Sequence, residues 1–223
     1  MKIIVAVDGF AASGKSAIAQ DLAEKTGYTH IDSGAMYRAV SLFGMQKGLV
    51  TSAANINSKK LIELLPTINI SFERTPDSYS TILNGENVEK EIRSLEVSNL
   101  TPHVAQIAAV RNFLTDRLRS MGKDGGVVIE GRDIGTVVFP DANMKVFVTA
   151  PLNLRVERRL AELKQQGNPA TYQFVKNDIL ERDKIDAAWT HPAKDAIRIL
   201  NGSKPLIDIV QNLLAIFHKL TEN

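Results

Sequence analysis

The sequence predicts a three-layer α/β fold with a parallel five-stranded sheet, a small antiparallel insert and a helical lid. Short β-branched runs alternate with long helical patterns, one stretch alternates at a period of two, and one helix is crowded with arginines. The predicted strands of the sheet are residues 3–7, 28–31, 127–129, 145–149 and 196–200. Their nearly continuous hydrophobicity is typical of strands that helices cover on both faces.

Composition excludes several classes of protein. The 223 residues are 44% hydrophobic and 23% charged, which fits a single globular domain over residues 1–223. The absence of cysteine excludes disulfide frameworks, thiolate metal sites and cysteine nucleophiles. A net charge of +2 argues against a nucleic-acid polymer as partner, and no apolar run approaches the roughly 18 residues of a membrane span. We therefore expect a cytoplasmic monomer that binds neither membrane nor nucleic acid.

The antiparallel insert is predicted over residues 66–90. Residues 67–73 alternate at a period of two, and residues 79–83 lead into Asn84-Gly85. Asn-Gly between two strand-like runs favours a type I′ turn, because both central residues of that turn need positive φ. The insert is either a decorated loop or a flap over a substrate, and the sequence leaves both interpretations open.

A phosphate-binding motif, G-x-x-x-x-G-K-[ST], lies between the first predicted strand and a predicted helix. The motif and the residue after it are predicted to bind a nucleotide: Gly9, Phe10, Ala11, Ala12, Ser13, Gly14, Lys15, Ser16 and Ala17. Backbone N–H groups of such a loop converge on the phosphates, Lys15 reaches the β and γ oxygens, and the Ser16 hydroxyl ligates Mg²⁺. The D-x-x-G and N-K-x-D strings of a GTPase are incomplete, which disfavours a guanine-nucleotide switch.

Two further charged residues follow predicted strands. Arg38 comes after the second strand and Arg132 after the third, at the edge of the sheet where ligands bind in open α/β folds. Glu130 ends the third strand like a Walker B acid and could hold the Mg²⁺ shell through water. Each arginine alone would fit a solvated surface pair, but together beside the phosphate loop they favour a second phosphate site.

A third group of cations is predicted on one helix face. Arg155, Arg158 and Arg159 are spaced at i, i+3 and i+4. They form either a solvated charged face, partly neutralised by nearby glutamates, or a lid of about residues 151–170 that brings arginines to a transferring phosphoryl group.

The acceptor of that phosphoryl group is predicted to be a phosphate. A hydroxyl acceptor needs a general base, and only Asp8 and Asp133 are candidates. A phosphate acceptor, with a second pKa of about 6, is already largely ionised at neutral pH and needs positive charge instead. The predicted catalytic residues are Lys15, Arg132, Arg155, Arg158 and Arg159.

Four strings of the sequence resemble the bacterial cytidylate kinases, a branch of the nucleoside monophosphate kinases. They are residues 7–16, 31–38, 91–97 and 130–142, and the likeness runs nearly end to end. The resemblance implies a P-loop kinase core, in which the insert binds the nucleoside monophosphate (NMP) and the lid is mobile. It also implies transfer of the γ-phosphoryl group of ATP, with Mg²⁺, to CMP or dCMP, giving ADP and CDP or dCDP.

The resemblance further implies a set of acceptor-binding residues. By position they are Ser33, Arg38, Arg111, Arg132, Asp133, Arg182 and Asp186. Of these, Arg111 and Asp133 would face the cytosine base.

The sequence departs from the family pattern at three positions. Pro102 stands where the family has a serine that touches the base, and Glu130 replaces an aspartate. Trp189 stands where an arginine clamps the acceptor phosphate, unless the register is shifted and Lys184, Lys194 or His191 takes that role.

Two alternatives to a (d)CMP kinase stay open at this point. One is a kinase for another acceptor, either UMP or a small metabolite. The other is a protein that binds nucleotide without kinase turnover.

Overall fold

The computed structural model describes residues 1–74, 79–202 and 205–222. Its strands are β1 (Ile4–Gly9), β2 (Thr29–Asp32), β3 (Val50–Ser52), β4 (Asn55–Ile56), β5 (Ile70–Arg74), β6 (Tyr79–Leu83), β7 (Glu86–Asn87), β8 (Val127–Gly131), β9 (Met144–Thr149) and β10 (Ile197–Leu200). Its helices are α1 (Lys15–Thr26), α2 (Ser33–Gln46), α3 (Ser58–Leu64), α4 (Leu95–Val104), α5 (Ala108–Gly122), α6 (Leu152–Gln165), α7 (Tyr172–Asp186) and α8 (Leu206–Thr221).

The chain divides into two compact units, which we describe separately. The first unit comprises Met1–Ile31 and Gly122–Asn223, and the second comprises Asp32–Met121. Among the described helices, none has both the length and the hydropathy that crossing a membrane requires.

The five-stranded sheet has the order β10-β9-β1-β8-β2. The pairings of β1 with β8, of β1 with β9 and of β9 with β10 are parallel. This confirms the predicted sheet, and every strand begins and ends within two residues of its predicted bounds. Strands β8 and β2 lie on one side of β1, and β9 and β10 lie on the other, so the strand order reverses at β1. Open α/β folds bind ligands at the carboxyl ends of the strands at such a switch point.

One buried hydrophobic cluster of the first unit lies on one face of this sheet. Val5 and Val7 of β1 point into it, as the strand period of two requires. They pack in one buried cluster with Leu22 of α1 and with Leu213 and Phe217 of α8. Each large side chain of this kind contributes about 1.5–3 kcal/mol when it is buried, so the cluster fixes α1, and with it the loop that precedes α1.

The second unit contains the predicted antiparallel insert. Strand β6 pairs antiparallel with both β5 and β7. Asn84 and Gly85 join β6 to β7 with φ of 51° and 89°, as the type I′ turn requires. A second, shorter hairpin of β3 and β4 was not predicted, because its strands are too short to show a pattern.

The helix of the predicted lid is α6, which begins directly after Pro151. Its carboxyl end is closed by Gly167 in the left-handed conformation, with φ of 73°. The N–H of Gly167 donates to the carbonyl of Lys164 at 3.0 Å and that of Asn168 to Leu163 at 2.9 Å, the paired bonds of a Schellman cap. A second long helix, α7, follows after a short connection.

Candidate active site

The predicted phosphate-binding loop joins β1 to α1. Only glycine fits at position 9, because a Cβ there would lie 2.2 Å from the carbonyl oxygen of Val148. Ala12 and Gly14 take positive φ, at 55° and 85°, and curl the chain into the start of α1. N–H groups at a helix N-terminus bind anions readily, since the helix dipole adds to their hydrogen bonds.

One polar group of this loop lacks a partner. The Ser13 side chain is fully buried, and its hydroxyl has no hydrogen-bond partner within the described parts of the chain. Burying a hydroxyl without a partner costs free energy. An anion held by the loop would accept this hydrogen bond, so the loop fits a phosphate group.

Glu130 of β8 gathers the polar side chains next to the loop. The Ser16 hydroxyl donates to its carboxylate at 2.5 Å, and the Lys15 ammonium lies 3.9 Å from the same oxygen. The second carboxylate oxygen lies 3.1 Å from Nε2 of His30. Glu130 is only 2% exposed, so these three partners offset the cost of burying its charge.

Ser16 and Glu130 offer the hard oxygen ligands that Mg²⁺ prefers. Among the described residues, no group of three or more His, Cys, Asp or Glu side chains could hold a metal ion. Such a site fits an ion that takes its remaining ligands from nucleotide phosphates and water, as Mg²⁺ does in kinases. His30 also lies against this carboxylate.

Asp8 holds the turn that follows β8. Its carboxylate accepts hydrogen bonds from the N–H groups of Ile134, at 2.8 Å, and Gly135, at 2.7 Å. These residues begin a single π-helical turn directly after Arg132 and Asp133. Burial raises the pKa of Asp8 to about 6, although both backbone hydrogen bonds act in the opposite direction. We interpret Asp8 as the support of this turn.

The raised pKa predicts a pH dependence of stability. The folded carboxyl, with a pKa of about 6, takes up its proton near pH 6, and the unfolded one near its ordinary value of 3.8. The unfolding free energy of the wild type, relative to Asp8→Asn, should therefore rise as the pH falls from about 7 to about 4. Urea denaturation at a series of pH values measures this difference, and a flat difference would contradict it.

Asp195 provides a control of opposite sign. It is exposed, and a hydrogen bond from Lys145 lowers the pKa of its carboxyl. Its contribution should stay constant between about pH 7 and pH 5, and be lost only below its unfolded value of 3.8.

The three predicted lid arginines have three different environments. Arg155 is buried and donates to both carboxylate oxygens of Asp183 and to the loop carbonyl of Ala11, at 3.2 Å. Arg158 donates to the loop carbonyl of Ser13 at 3.1 Å. Arg159, whose side chain is 14% exposed, pairs with Glu162 of the same helix, α6. The structure thus brings two of the three to the phosphate-binding loop, while their contact with a phosphoryl group stays a prediction.

Further predicted residues of the first unit form ion pairs. Arg132 donates to Asp186 at 2.9 Å, which brings together two residues of the predicted acceptor set. Arg182 donates to Asp178 at 3.1 Å on the same helix, α7. Burial lowers the pKa of the Arg182 guanidinium from its ordinary value. Asp133 lies directly before the π-helical turn and is buried.

The second unit holds Ser33, Arg38 and Arg111. Asp32 caps α2 by accepting from the N–H of Ala35 at 3.0 Å, and it accepts from Nη2 of Arg38 at 2.7 Å. Nε of Arg38 is buried and has no hydrogen-bond partner in the described chain, which fits an anionic ligand. Ser33 is buried at the start of α2, and the guanidinium of Arg111 lies 5.9 Å from the ring of Tyr37.

Two of the residues that depart from the family pattern, Pro102 and Trp189, lie in or next to a helix. Pro102 is inside α4, and the hydroxyl of neighbouring Thr101 donates to the carbonyl of Val97 at 2.7 Å. Trp189 follows α7, and its backbone N–H donates to the carbonyl of Asp186 at 3.1 Å.

Three residues of this region were missed in the sequence. They are Asp183, Asn201 and His30, which are not assigned to the site from the sequence alone. Their sequence separations from their partners, 28 to 188 residues, leave no local pattern to read. Asn201 carried a usable signal, because it directly follows β10 at the same edge of the sheet as the phosphate-binding loop.

The chain has the fold and the site of a P-loop kinase: the phosphate-binding loop, the Ser16 and Glu130 oxygens beside it, and the strand order of the sheet. Two solved structures share this fold: an uncharacterised protein from Eubacterium ventriosum, with a TM-score of 0.53, and a shikimate kinase from Bacteroides thetaiotaomicron, with a TM-score of 0.52. Their sequences are 14% and 12% identical to this one, over 96% and 98% of this chain and 98% and 99% of theirs, so the likeness concerns the fold alone.

The sequence comparisons identify the family. The family model for cytidylate kinase matches residues 5–219. A cytidylate kinase from Phocaeicola vulgatus is 47% identical over 90% of both chains. Another from Parabacteroides distasonis is 44% identical over 98% of this chain and 97% of its own. The chain belongs to the cytidylate kinase family, which confirms the resemblance found in the four strings.

Proposed function

We propose that this chain transfers the γ-phosphoryl group of ATP to CMP or dCMP, giving ADP and CDP or dCDP. The observation that carries the proposal is the arrangement of Lys15 and Ser16 around the buried carboxylate of Glu130, in a chain of the cytidylate kinase family. Phosphoryl transfer asks for little covalent chemistry from the protein, and positioning and charge stabilisation supply most of the rate.

The donor side of the reaction is assigned to the phosphate-binding loop. Its N–H groups and the Ser13 hydroxyl would hold the β-phosphate, and Lys15 would contact the β and γ oxygens. Ser16 would ligate Mg²⁺ directly, with Glu130 acting through water. When bound, the ion neutralises charge on the phosphate oxygens.

The acceptor side needs cations rather than a base. The residues proposed to contact the acceptor are Ser33, Arg38, Arg111, Arg132, Asp133, Arg182 and Asp186. Arg38 supports this role through its unpartnered, buried Nε, because a phosphate oxygen would satisfy that donor. The acceptor phosphate is largely ionised at neutral pH, so its oxygen attacks without losing a proton to the protein. In-line attack on the γ-phosphorus would then form the new P–O bond as the bond to ADP breaks.

A panel of acceptors tests the proposal. ADP release is coupled to a spectroscopic readout with CMP, dCMP, UMP, AMP and GMP, at saturating MgATP. Clear preference for CMP and dCMP is the expected result. Preference for UMP would favour the alternative acceptor, which stays open because Pro102 replaces the serine that touches the base. ATP binding without turnover on any acceptor would favour a nucleotide-binding protein. We also propose a monomer, which sedimentation tests.

Trp189 gives a prediction about acceptor affinity. If the family arginine at this position clamps the acceptor phosphate, its absence removes a charge-assisted hydrogen bond worth roughly 1.5–3 kcal/mol. Trp189→Arg should then lower the KM for CMP about tenfold or more at saturating ATP, since every 1.4 kcal/mol or so is a factor of ten. The KM for ATP should not change. An unchanged KM for CMP would place the clamp elsewhere, for example at Lys184, Lys194 or His191.

The proposed lid, residues 151–170, gives a prediction about motion. Its arginines would be neutralised by nucleotide phosphates, so amide hydrogen exchange in these residues should slow when ATP and CMP are added together. The exposed α8 surface serves as an internal reference in the same experiment. Unchanged exchange of residues 151–170 at saturating ligand would count against a lid.

A further inference from the structure

Asn201 lies just beyond β10 and contacts the phosphate-binding loop from the far end of the chain. It is only 7% exposed. Its amide Nδ2 donates to the carbonyl of Ser13 at 2.9 Å, across 188 residues of sequence. Its own backbone N–H donates to the carbonyl of Thr149 at 2.7 Å, which ties the residue to the sheet.

Arg158 fixes the other half of the Asn201 amide. Its Nη2 donates to both the side-chain Oδ1 and the backbone carbonyl of Asn201, each at 3.2 Å. Its Nη1 donates to the same Ser13 carbonyl, at 3.1 Å. A guanidinium can only donate and a carbonyl can only accept, so these two neighbours determine which way the amide of Asn201 faces.

The loop is shaped to receive this side chain. A Cβ on Gly14 would lie 2.2 Å from Nδ2 of Asn201, so the glycine provides the space for the amide. The Ser13 carbonyl thereby faces Asn201 and Arg158, which both donate to it. A peptide flip at this position would direct a carbonyl oxygen towards the phosphates, where it would repel them.

We propose that Asn201 is a positioning residue for the nucleotide donor: it holds the Ser13–Gly14 peptide so that the loop presents N–H groups to MgATP. This inference rests on the proposed use of the loop for MgATP. Asn201 acts through the loop backbone, without contact to the phosphates. Its loss should therefore weaken the ATP side of the reaction more than the acceptor side.

Asn201→Asp is the sharpest variant, because it keeps the size of the side chain and the acceptor for Arg158. It replaces the donor to Ser13 with an oxygen that faces another oxygen. Asn201→Ala is the second variant and removes both contacts without adding a charge. Thr149→Val is the matched control: it deletes the 3.2 Å hydrogen bond from the Thr149 hydroxyl to the Ile199 carbonyl at the same strand ends, and it keeps the backbone carbonyl of Thr149 that accepts from Asn201.

The first measurement is equilibrium binding of a fluorescent ATP analogue with Mg²⁺, which needs no turnover. We expect about tenfold weaker binding for Asn201→Asp, in line with a lost hydrogen bond to the loop, and a change under twofold for Thr149→Val. Steady-state kinetics should show the same rise in KM for ATP, with the KM for CMP changed less than twofold.

Three results would overturn the proposal. The first is binding within twofold of the wild type in both Asn201 variants. The second is an equal loss for ATP and CMP that follows a drop in melting temperature, as a merely structural residue would show. The third is a wild type that does not bind ATP, which would overturn the proposed function as well. A wild type that binds ATP but phosphorylates no acceptor would refute only the proposed function, and the binding comparison would still decide the role of Asn201.

Discussion

Lys15→Ala should lower kcat by about a hundred- to a thousandfold, the usual cost of removing one charged donor from the developing charge of a transition state. The Lys15 ammonium lies 3.9 Å from the carboxylate of Glu130, and its side chain is absent from the buried hydrophobic cluster of the first unit. Glu130 keeps Ser16 and His30 as partners in the variant. The melting temperature should therefore change by only a few degrees.

Lys25→Ala is the control for this prediction. Lys25 lies on the same helix, α1, and pairs with Asp21 on its exposed side. Removing an exposed i, i+4 pair costs a few tenths of a kcal/mol and should leave kcat unchanged. A Lys15→Ala protein that melts many degrees lower, with unchanged activity per folded molecule, would show that Lys15 supports the fold rather than the reaction.

The parts of the fold that could be predicted are those with a local physical signal. The three central strands, β9, β1 and β8, are nearly continuous apolar runs because both of their faces are covered. All five strands appear within two residues of the predicted bounds. The turn at Asn84-Gly85 was predictable because few residue pairs accept positive φ twice. The phosphate-binding loop could be predicted because its eight-residue motif contains the glycines, the lysine and the serine that bind phosphate and Mg²⁺.

The pairing of charges could not be predicted in the same way. The spacing of Arg155, Arg158 and Arg159 puts them on one helix face, and we therefore predicted a common role for them. The structure separates them, because Asp183 on α7 and the carbonyls of Ala11 and Ser13 reach two of them and not the third. Such partners meet only after the chain has folded, so no window of sequence contains both members.

The ion pair of Arg155 and Asp183 shows how much stability depends on such a contact. Both oxygens of the carboxylate accept from the guanidinium, whose side chain is 7% exposed. Asp183→Ala would leave the guanidinium buried without its counter-charge, and it cannot escape the cost by losing its proton. We expect the free energy of unfolding to fall by about 3 kcal/mol, the lower end for breaking a buried pair, because Asp183 itself is partly exposed.

Urea denaturation of three variants tests this prediction. Glu162→Ala is the control: it removes an exposed carboxylate that pairs with Arg159 on the same helix, and it should cost no more than about 0.5 kcal/mol. In the double variant Arg155→Met with Asp183→Ala, no unpaired charge remains, so part of the lost stability should return. A double variant less stable than Asp183→Ala alone would mean that Arg155 stabilises the fold mainly through the Ala11 carbonyl and its packing against Phe10, whose ring centre lies 5.4 Å from the guanidinium.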